Sequence, residues 1–194
     1  MWQQILPALR IKILMTILVG IVYPLAMTGL CQLFFPYRAN GSLITDRGRP
    51  IGSELIGQRF TRAEYFQGRP SAAGNDGYDA SNSNAFNYGP TSRKLYDRVK
   101  AASDNFRKEN PGYEGPLPAD LVTASASGLD PHISPASALA QAARVAAARG
   151  VSKDVVEKLI KNFAEGPDLG ILGEPRVNVL RLNLALDKQF PRRG

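Results

Sequence analysis

The chain has 194 residues, 44% hydrophobic and 21% charged, which is enough for one ordinary folded domain with a short additional element but cramped for two independent domains. Its formal net charge of +7 would suit nucleic acid, but the basic residues are scattered and accompany no zinc-finger spacing or aromatic RNA-binding signature, so we expect no nucleic-acid partner. The single cysteine, Cys31, excludes an internal disulfide and a multi-cysteine metal site.

An uncharged stretch of 25 residues, ILMTILVGIVYPLAMTGLCQLFFPY, occupies residues 13–37. As a helix it would extend about 37 Å, more than the roughly 30 Å of a bilayer's hydrocarbon core. The apolar region is too long for a cleaved signal peptide, and Leu30 stands where a lipoprotein signal needs a small residue before Cys31. The basic flank and aromatic end favour a membrane span over a buried core helix. We therefore predict one uncleaved transmembrane helix at residues 13–37.

Three residues of this helix suggest how it meets its neighbours. Pro24 lacks a backbone N–H, so a kink is expected in the middle of the span. Gly20 and Gly29 would let another helix approach closely. Gly20, Pro24 and Gly29 are thus the predicted helix-docking surface.

The orientation of the span does not follow from charge alone, because basic residues flank it on both sides. A short basic N-terminus favours the cytoplasm, and a long following domain translocates largely regardless of its charge. We expect a single-pass membrane protein with residues 1–12 in the cytoplasm and residues 38–194 outside the membrane.

The outer domain is predicted to be a small α+β domain. A hairpin is expected from strands at residues 42–45 and 51–54 around a turn at residues 46–50. The segment that follows, as far as Pro90, is rich in Gly, Asn, Ser and Asp and carries aromatic residues that include Tyr65, Phe66, Tyr78, Phe86 and Tyr88. Those aromatic side chains favour a long but ordered loop.

Three helices are predicted after this loop. The first has apolar residues at helical spacing from Leu95 to Phe106, the second is capped by Ser134 and ended by Gly150, and the third is capped by Ser152. The closing run VNVLRLNLALD is expected to begin as a strand at Val177 and Val179 and to become helical near Asn183.

The only histidine, His132, lies in the turn SGLDPHISPAS. Asp130 and Ser134 can accept backbone N–H groups there, so turn and cap formation explain the motif. A GxSxG nucleophile and a GxxxxGK phosphate loop are both missing from the sequence, and a metal site would need more His or Cys. Turn formation also accounts for the paired acids Asp76 and Asp79. We predict no catalytic residue, no metal and no stably bound cofactor.

Six collinear segments extend over nearly the whole chain: VYPL, FPYRANGSLI, GSELIGQRF, YFQGRPSA, LVTASASGLDPHISPASA and VNVLRLNLALD. Together they resemble a known family, the C subunit of the bacterial Kdp potassium-transporting P-type ATPase (KdpC). The resemblance implies a protein of the bacterial inner membrane whose outer domain is periplasmic. The stretch SNSNAFNYGP at residues 81–90 departs from the family, which is richer in glycine there, so no family role is carried over to it.

The resemblance implies an accessory subunit of a potassium-uptake complex. Its partners would be a potassium-channel-like subunit, an ATP-hydrolysing P-type subunit and a small single-span subunit. The family is described as a catalytic chaperone that raises the ATP affinity of the hydrolysing subunit. A periplasmic domain cannot reach cytosolic ATP, so we expect a role in assembly and stabilisation, or a position over the potassium entrance. The alternatives are a nucleotide-binding regulatory domain and a membrane-anchored hydrolase that uses His132.

Charge bears on the position at the potassium entrance. Of the 24 basic residues only Arg10 and Lys12 precede residue 38, so the 22 that follow, against all 17 acidic residues, give the outer domain a net charge of +5. Such a domain would shape the entrance rather than attract potassium.

Two loops are predicted to face partner subunits. Both belong to segments that carry the resemblance. The predicted partner-facing residues are Tyr65, Phe66, Gly68, Arg69, Pro70 and Ser71 in the first loop, and Gly128, Asp130, His132 and Ser134 in the second.

Overall fold

A computed structural model describes residues 2–46 and 48–191 of the chain. The chain divides into two compact units between residues 51 and 52. The architecture is mixed α and β, as predicted: a long apolar helical stretch at the N-terminus and a helix-rich domain with a small sheet. Arg47, in the predicted hairpin turn, lies outside the described residues.

The N-terminal unit begins with a continuous helical stretch of 33 residues, Trp2–Phe34, whose side chains are all exposed. It consists of α1 (Trp2–Ile17), a π-helical turn (Leu18–Val22) and α2 (Tyr23–Phe34), and the short helix α3 (Pro36–Ala39) follows. By length and composition this stretch can cross a membrane. It fits a single-pass membrane protein.

The predicted irregularity at Pro24 takes the form of the π-helical turn. The N–H of Tyr23 donates to the carbonyl of Leu18, five residues back. Pro24 has no N–H to continue the regular ladder, so the backbone just before it widens into a π-turn. After the proline, Thr28 Oγ1 donates to the Pro24 carbonyl at 2.8 Å, one turn back along the helix.

The predicted hairpin is present with slightly shifted strands. Strand β1 is Leu43–Asp46 and β2 is Arg49–Ser53, and the two form a separate two-stranded sheet. Gly48 has a φ of +77°, the left-handed conformation that a tight turn requires. After this hairpin, residues 54–92 contain neither helix nor strand, which agrees with the predicted long loop.

The three predicted soluble helices are confirmed. They are α4 (Arg93–Glu109), α5 (Pro135–Arg149) and α6 (Lys153–Phe163). At the start of α5 the Ser134 Oγ accepts the N–H of Ser137 at 3.1 Å. Gly150 ends the helix with a φ of +66°. Ser152 precedes α6 as predicted, although its side chain accepts no capping hydrogen bond.

A three-stranded antiparallel sheet completes the second unit. Its strands are β3 (His132–Ile133), β4 (Ala164–Glu165) and β5 (Arg176–Asn178), in the order β3–β5–β4. The last helix, α7 (Val179–Gln189), follows β5 directly. The prediction of a strand at Val179 and a helix only from about Asn183 was therefore wrong. The Asn178 Oδ1 accepts the N–H of Arg181 at 3.1 Å and caps the helix at its start. The helix therefore begins at Val179, although the alternating apolar residues Val177 and Val179 suggested a longer strand.

The main core lies where α5, α6 and α7 pack with the sheet. One aromatic side chain of the long loop is part of it. The largest fully buried apolar residues are Phe66, Ile133, Ile160, Leu182, Leu186, Val145, Val156 and Val177.

Two buried amide side chains hold the loop in this core. Asn183 accepts the N–H of Phe66 and donates to its carbonyl, both at 2.9 Å. Gln141 does the same for Gln67, at 2.8 and 3.1 Å. The N–H and carbonyl groups of a buried loop have no hydrogen-bond partners in a helix or a sheet. The side-chain amides of Asn183 and Gln141 supply those partners here.

Asn183→Ala should lower the stability of the folded chain by about 3 kcal/mol, because the N–H and carbonyl of Phe66 would stay buried without partners. The melting temperature of the full chain in detergent, followed by circular dichroism, should fall by about 5–10 °C. Asn162→Ala changes an exposed asparagine of α6 and should leave the melting temperature nearly unchanged. Equal effects of the two substitutions would contradict this account.

Candidate partner interface

The second half of the first predicted partner loop lies directly against the second loop. Arg69 Nη1 is 3.0 Å from Asp130 Oδ2, and Ser71 Oγ donates to the Gly128 carbonyl at 2.6 Å. Gly128 has a φ of +68°, and a Cβ there would lie 2.7 Å from the backbone nitrogen of Ala73. The two segments thus form one connected surface, which requires glycine at this position.

The first half of the same loop is placed differently from the prediction. Phe66 is fully buried in the core, and Tyr65 is buried with its hydroxyl donating to Asp187 Oδ2 at 2.8 Å. Their side chains therefore pack inside the domain instead of facing outward. In the first loop, the residues that partly reach the surface are Gly68, Arg69, Pro70 and Ser71, which are half-buried.

Tyr78 braces the first loop, a role that its place among the aromatic residues of the long loop did not predict. Its hydroxyl donates to the Arg69 carbonyl at 2.6 Å, and its N–H donates to Ser71 Oγ at 2.8 Å. A Cβ on Gly57 would lie 2.5 Å from the Tyr78 ring and 2.6 Å from the Asp130 carbonyl. The signal in the sequence was the pair of glycines, Gly57 and Gly68, which leave room for this ring.

Charges at the junction are held in fixed states. Burial opposes ionisation of Asp130, but hydrogen bonds from His132 and Arg69 outweigh it and lower the pKa of this carboxyl below its ordinary value. Burial raises the pKa of Tyr78 to about 12, with the Asp130 carboxylate adding to the effect and Arg69 opposing it. The junction therefore presents a carboxylate and a neutral phenol at neutral pH.

The remaining residues of the second loop have structural contacts. The His132 N–H donates to Asp130 Oδ1 at 2.9 Å, as turn formation predicts. Asp120 accepts the N–H of Ser134 at 2.7 Å and the hydroxyl of Ser137 at 2.6 Å. Asp120 thus ties the turn to the start of α5, and this link was missed because Asp120 is 14 residues away in sequence.

A cleft of about 390 Å³ opens beside the junction. One wall is formed by residues 67–71 and 76–78, and α4 forms the other. Its charged lining residues are Arg59, Arg69, Asp76 and Glu109, and its apolar ones include Phe60, Phe106 and Leu121. Such a concave surface of mixed polarity suits a protruding segment of another protein. Among the described residues, no three His, Cys, Asp or Glu side chains are grouped to hold a metal ion.

The predicted helix-docking residues lie on the open surface of the N-terminal helical stretch. A Cβ on Gly29 would meet nothing within 4 Å, and one on Gly20 would meet only Thr16 Cγ2 at 3.9 Å. Contacts within the chain therefore do not require glycine at either position. Together with Pro24, they remain a predicted docking surface.

These features define a class: a small α+β domain with a surface cleft, preceded by an apolar helix long enough to cross a membrane. The family described as "KdpC: K+-transporting ATPase, c chain" matches residues 5–188. A potassium-transporting ATPase KdpC subunit of Myxococcus xanthus is 57% identical over 191 residues, covering 98% of this chain and 90% of the relative. A subunit of the same name from Rhodospirillum rubrum is 55% identical and covers 98% of both chains. The chain belongs to the KdpC family.

Gly57→Ala should destabilise the chain, because its methyl group would overlap both the Tyr78 ring and the backbone at Asp130. We expect a loss of about 2 kcal/mol, seen as a fall in the melting temperature of the full chain. Gly112→Ala is the matched control, since a Cβ there meets nothing within 4 Å. A Gly57→Ala chain that melts with the control would show that Tyr78 does not fill this space.

Tyr78 should make stability depend on pH in the alkaline range. Its folded-state pKa of about 12 lies above the ordinary value of 10.0, so its contribution is complete below about pH 10 and is lost as the pH rises towards 12. The melting temperature of Tyr78→Phe should accordingly fall less between pH 8 and pH 11 than that of the unchanged chain. Tyr96→Phe removes an exposed tyrosine and should keep the original slope.

Proposed function

We propose that the chain is a non-catalytic accessory subunit that assembles and stabilises a potassium-transporting ATPase complex. The observation that carries the proposal is the extent of the family match, which runs from residue 5 to residue 188 and so includes the apolar helix as well as the domain. Relatives that carry the name of a potassium-transporting ATPase subunit align over the same length. The chain would accordingly act as one subunit of a transport complex.

The partners in this proposal are a channel-like subunit, an ATP-hydrolysing P-type subunit and a small single-span subunit. In the membrane, contact would involve the surface of Gly20, Pro24 and Gly29, where small residues allow close packing of helices. Outside the membrane, contact would involve the cleft and the run from Gly68 to Ser71. Rigid loops favour such docking because little conformational entropy is lost on binding.

In the proposed orientation the N-terminus lies in the cytoplasm and the domain lies on the periplasmic side of the inner membrane. ATP is cytosolic, so the domain would influence nucleotide affinity only through contacts between subunits. Direct nucleotide binding by this domain requires the opposite orientation. The sidedness of the domain therefore separates the assembly role from the nucleotide-binding role.

Sidedness is tested with single cysteines in a Cys31→Ser background. Ser152→Cys places a thiol on an exposed residue of the domain, and Gln4→Cys places one near the N-terminus. A membrane-impermeant maleimide added to intact cells, whose outer membrane has been permeabilised, should label Ser152→Cys and leave Gln4→Cys unlabelled until lysis. The reverse pattern would contradict the proposed orientation and make nucleotide binding the leading function.

The assembly role is tested by purification from membranes. A tagged full chain should retain the larger subunits in mild detergent, and deletion of the chain should reduce recovery of the intact complex. A chain that purifies alone, with a complex that survives its deletion, would contradict the proposed function.

A further inference from the structure

The turn between β4 and β5 exposes three large apolar side chains to solvent. Leu169 is 89% exposed, Ile171 81% and Leu172 56%. The first two are the most exposed large apolar residues among those described in the second unit. We call Leu169, Ile171 and Leu172 the apolar tip. Such a concentration on a soluble surface is typical of an interaction site.

The apolar tip is held rigidly. Asp168 and Leu172 exchange two backbone hydrogen bonds, of 2.8 and 2.9 Å. Arg176 braces the turn from the sheet, with contacts of 3.3 Å to both Asp168 and Glu165. The backbone that carries the apolar side chains is therefore already ordered by these hydrogen bonds, which lowers the backbone entropy lost on binding.

Folding of the domain does not explain the identity of residue 169. Leu169 has a φ of +54°, a region that leucine rarely adopts and that glycine or asparagine occupies with less strain. Its side chain is also almost wholly exposed. A leucine at this position strains the backbone and exposes an apolar side chain to water. A contact with another molecule would explain why a leucine is present here.

The charge around the apolar tip indicates the chemistry of that molecule. Residues 165–176 contain Glu165, Asp168 and Glu174 against a single basic residue, Arg176, a net charge of −2 in a chain whose overall charge is +7. An anionic lipid surface would repel these carboxylates. A socket lined by apolar side chains and rimmed by Lys or Arg would match both the apolar tip and its surroundings.

A second copy of the chain offers one such surface. A groove of about 410 Å³ is lined by Tyr113, Leu139, Ala140 and Ala143 and bordered by Lys153, Lys161 and the acidic Glu157, which is ion-paired to Lys153 at 3.1 Å. If the apolar tip of one copy inserted into this groove of the next, the contact would be head-to-tail. Head-to-tail contacts build a ring or an open-ended chain of copies. Docking on another subunit of the complex produces neither, so we favour another subunit as the partner.

We infer that the apolar tip docks into an apolar socket rimmed by Lys or Arg on another subunit of the potassium-transporting ATPase complex. The inference rests on the proposed function. It adds a contact surface formed by residues other than those of the cleft and the helix-docking residues.

The test titrates purified full-length chain into complex that was prepared without it, and measures the concentration that gives half-maximal reassembly. Leu169→Asn should raise that concentration about tenfold or more, because it removes a leucine side chain that docking would bury. The same substitution should leave the melting temperature of the free chain unchanged or higher, since asparagine tolerates the positive φ. Leu55→Asn, which changes another exposed leucine (61%), is the matched control and should not affect reassembly.

Charge and identity of the partner are tested separately. Glu174→Lys should weaken reassembly more at low salt than at high salt, whereas Glu114→Lys, an equal change of charge on another exposed loop, should not. The photoreactive residue p-benzoylphenylalanine placed at Leu169 should crosslink to another subunit of the complex. A crosslink only to lipid or to a second copy of the chain would overturn the inference, as would an unchanged titration of Leu169→Asn.

The failures of the two proposals are distinguishable. If the unchanged chain does not reassemble with the other subunits at all, the proposed function fails. If the unchanged chain reassembles and Leu169→Asn does so equally well, only the role of the apolar tip fails.

Discussion

The domain depends on satisfying the backbone of a buried loop. Residues 54–92 form no helix or strand, yet Phe66 lies in the centre of the core. This is tolerable only because the amides of Asn183 and Gln141 take the hydrogen-bonding positions that a neighbouring strand would otherwise supply. Helices α5 and α7 thereby become fixed relative to the loop, and the rest of the domain is organised around that arrangement.

The loop's later part gains its shape from this anchor. Once residues 66 and 67 are fixed, Arg69 and Ser71 lie within reach of the second loop and bond to Asp130 and Gly128. Tyr78 braces this part of the loop, because its hydroxyl donates to the Arg69 carbonyl. The exposed wall of the cleft is therefore a direct extension of the core, and it is rigid enough to serve as a binding surface.

The KdpC family assignment and the physical features support each other at the level of class. The apolar helix can cross a membrane, and the domain has the concave and apolar surfaces expected of a protein that works in contact with others. The proposed assembly role uses surfaces rather than reactive groups. In the structure His132 and Asp130 hold the turn together, and Asp130 also pairs with Arg69 of the first loop.

Local sequence determined the elements whose causes are local. The uncharged run specified the apolar helix, Pro24 its irregular turn, and Ser134 and Gly150 the two ends of α5. Tertiary structure alone decided that Phe66 lies in the core, that Tyr78 braces the first loop, and that Leu169 is exposed. The physical reason is that these roles depend on partners such as Asn183, 117 residues away from Phe66, so no pattern of neighbouring residues records them.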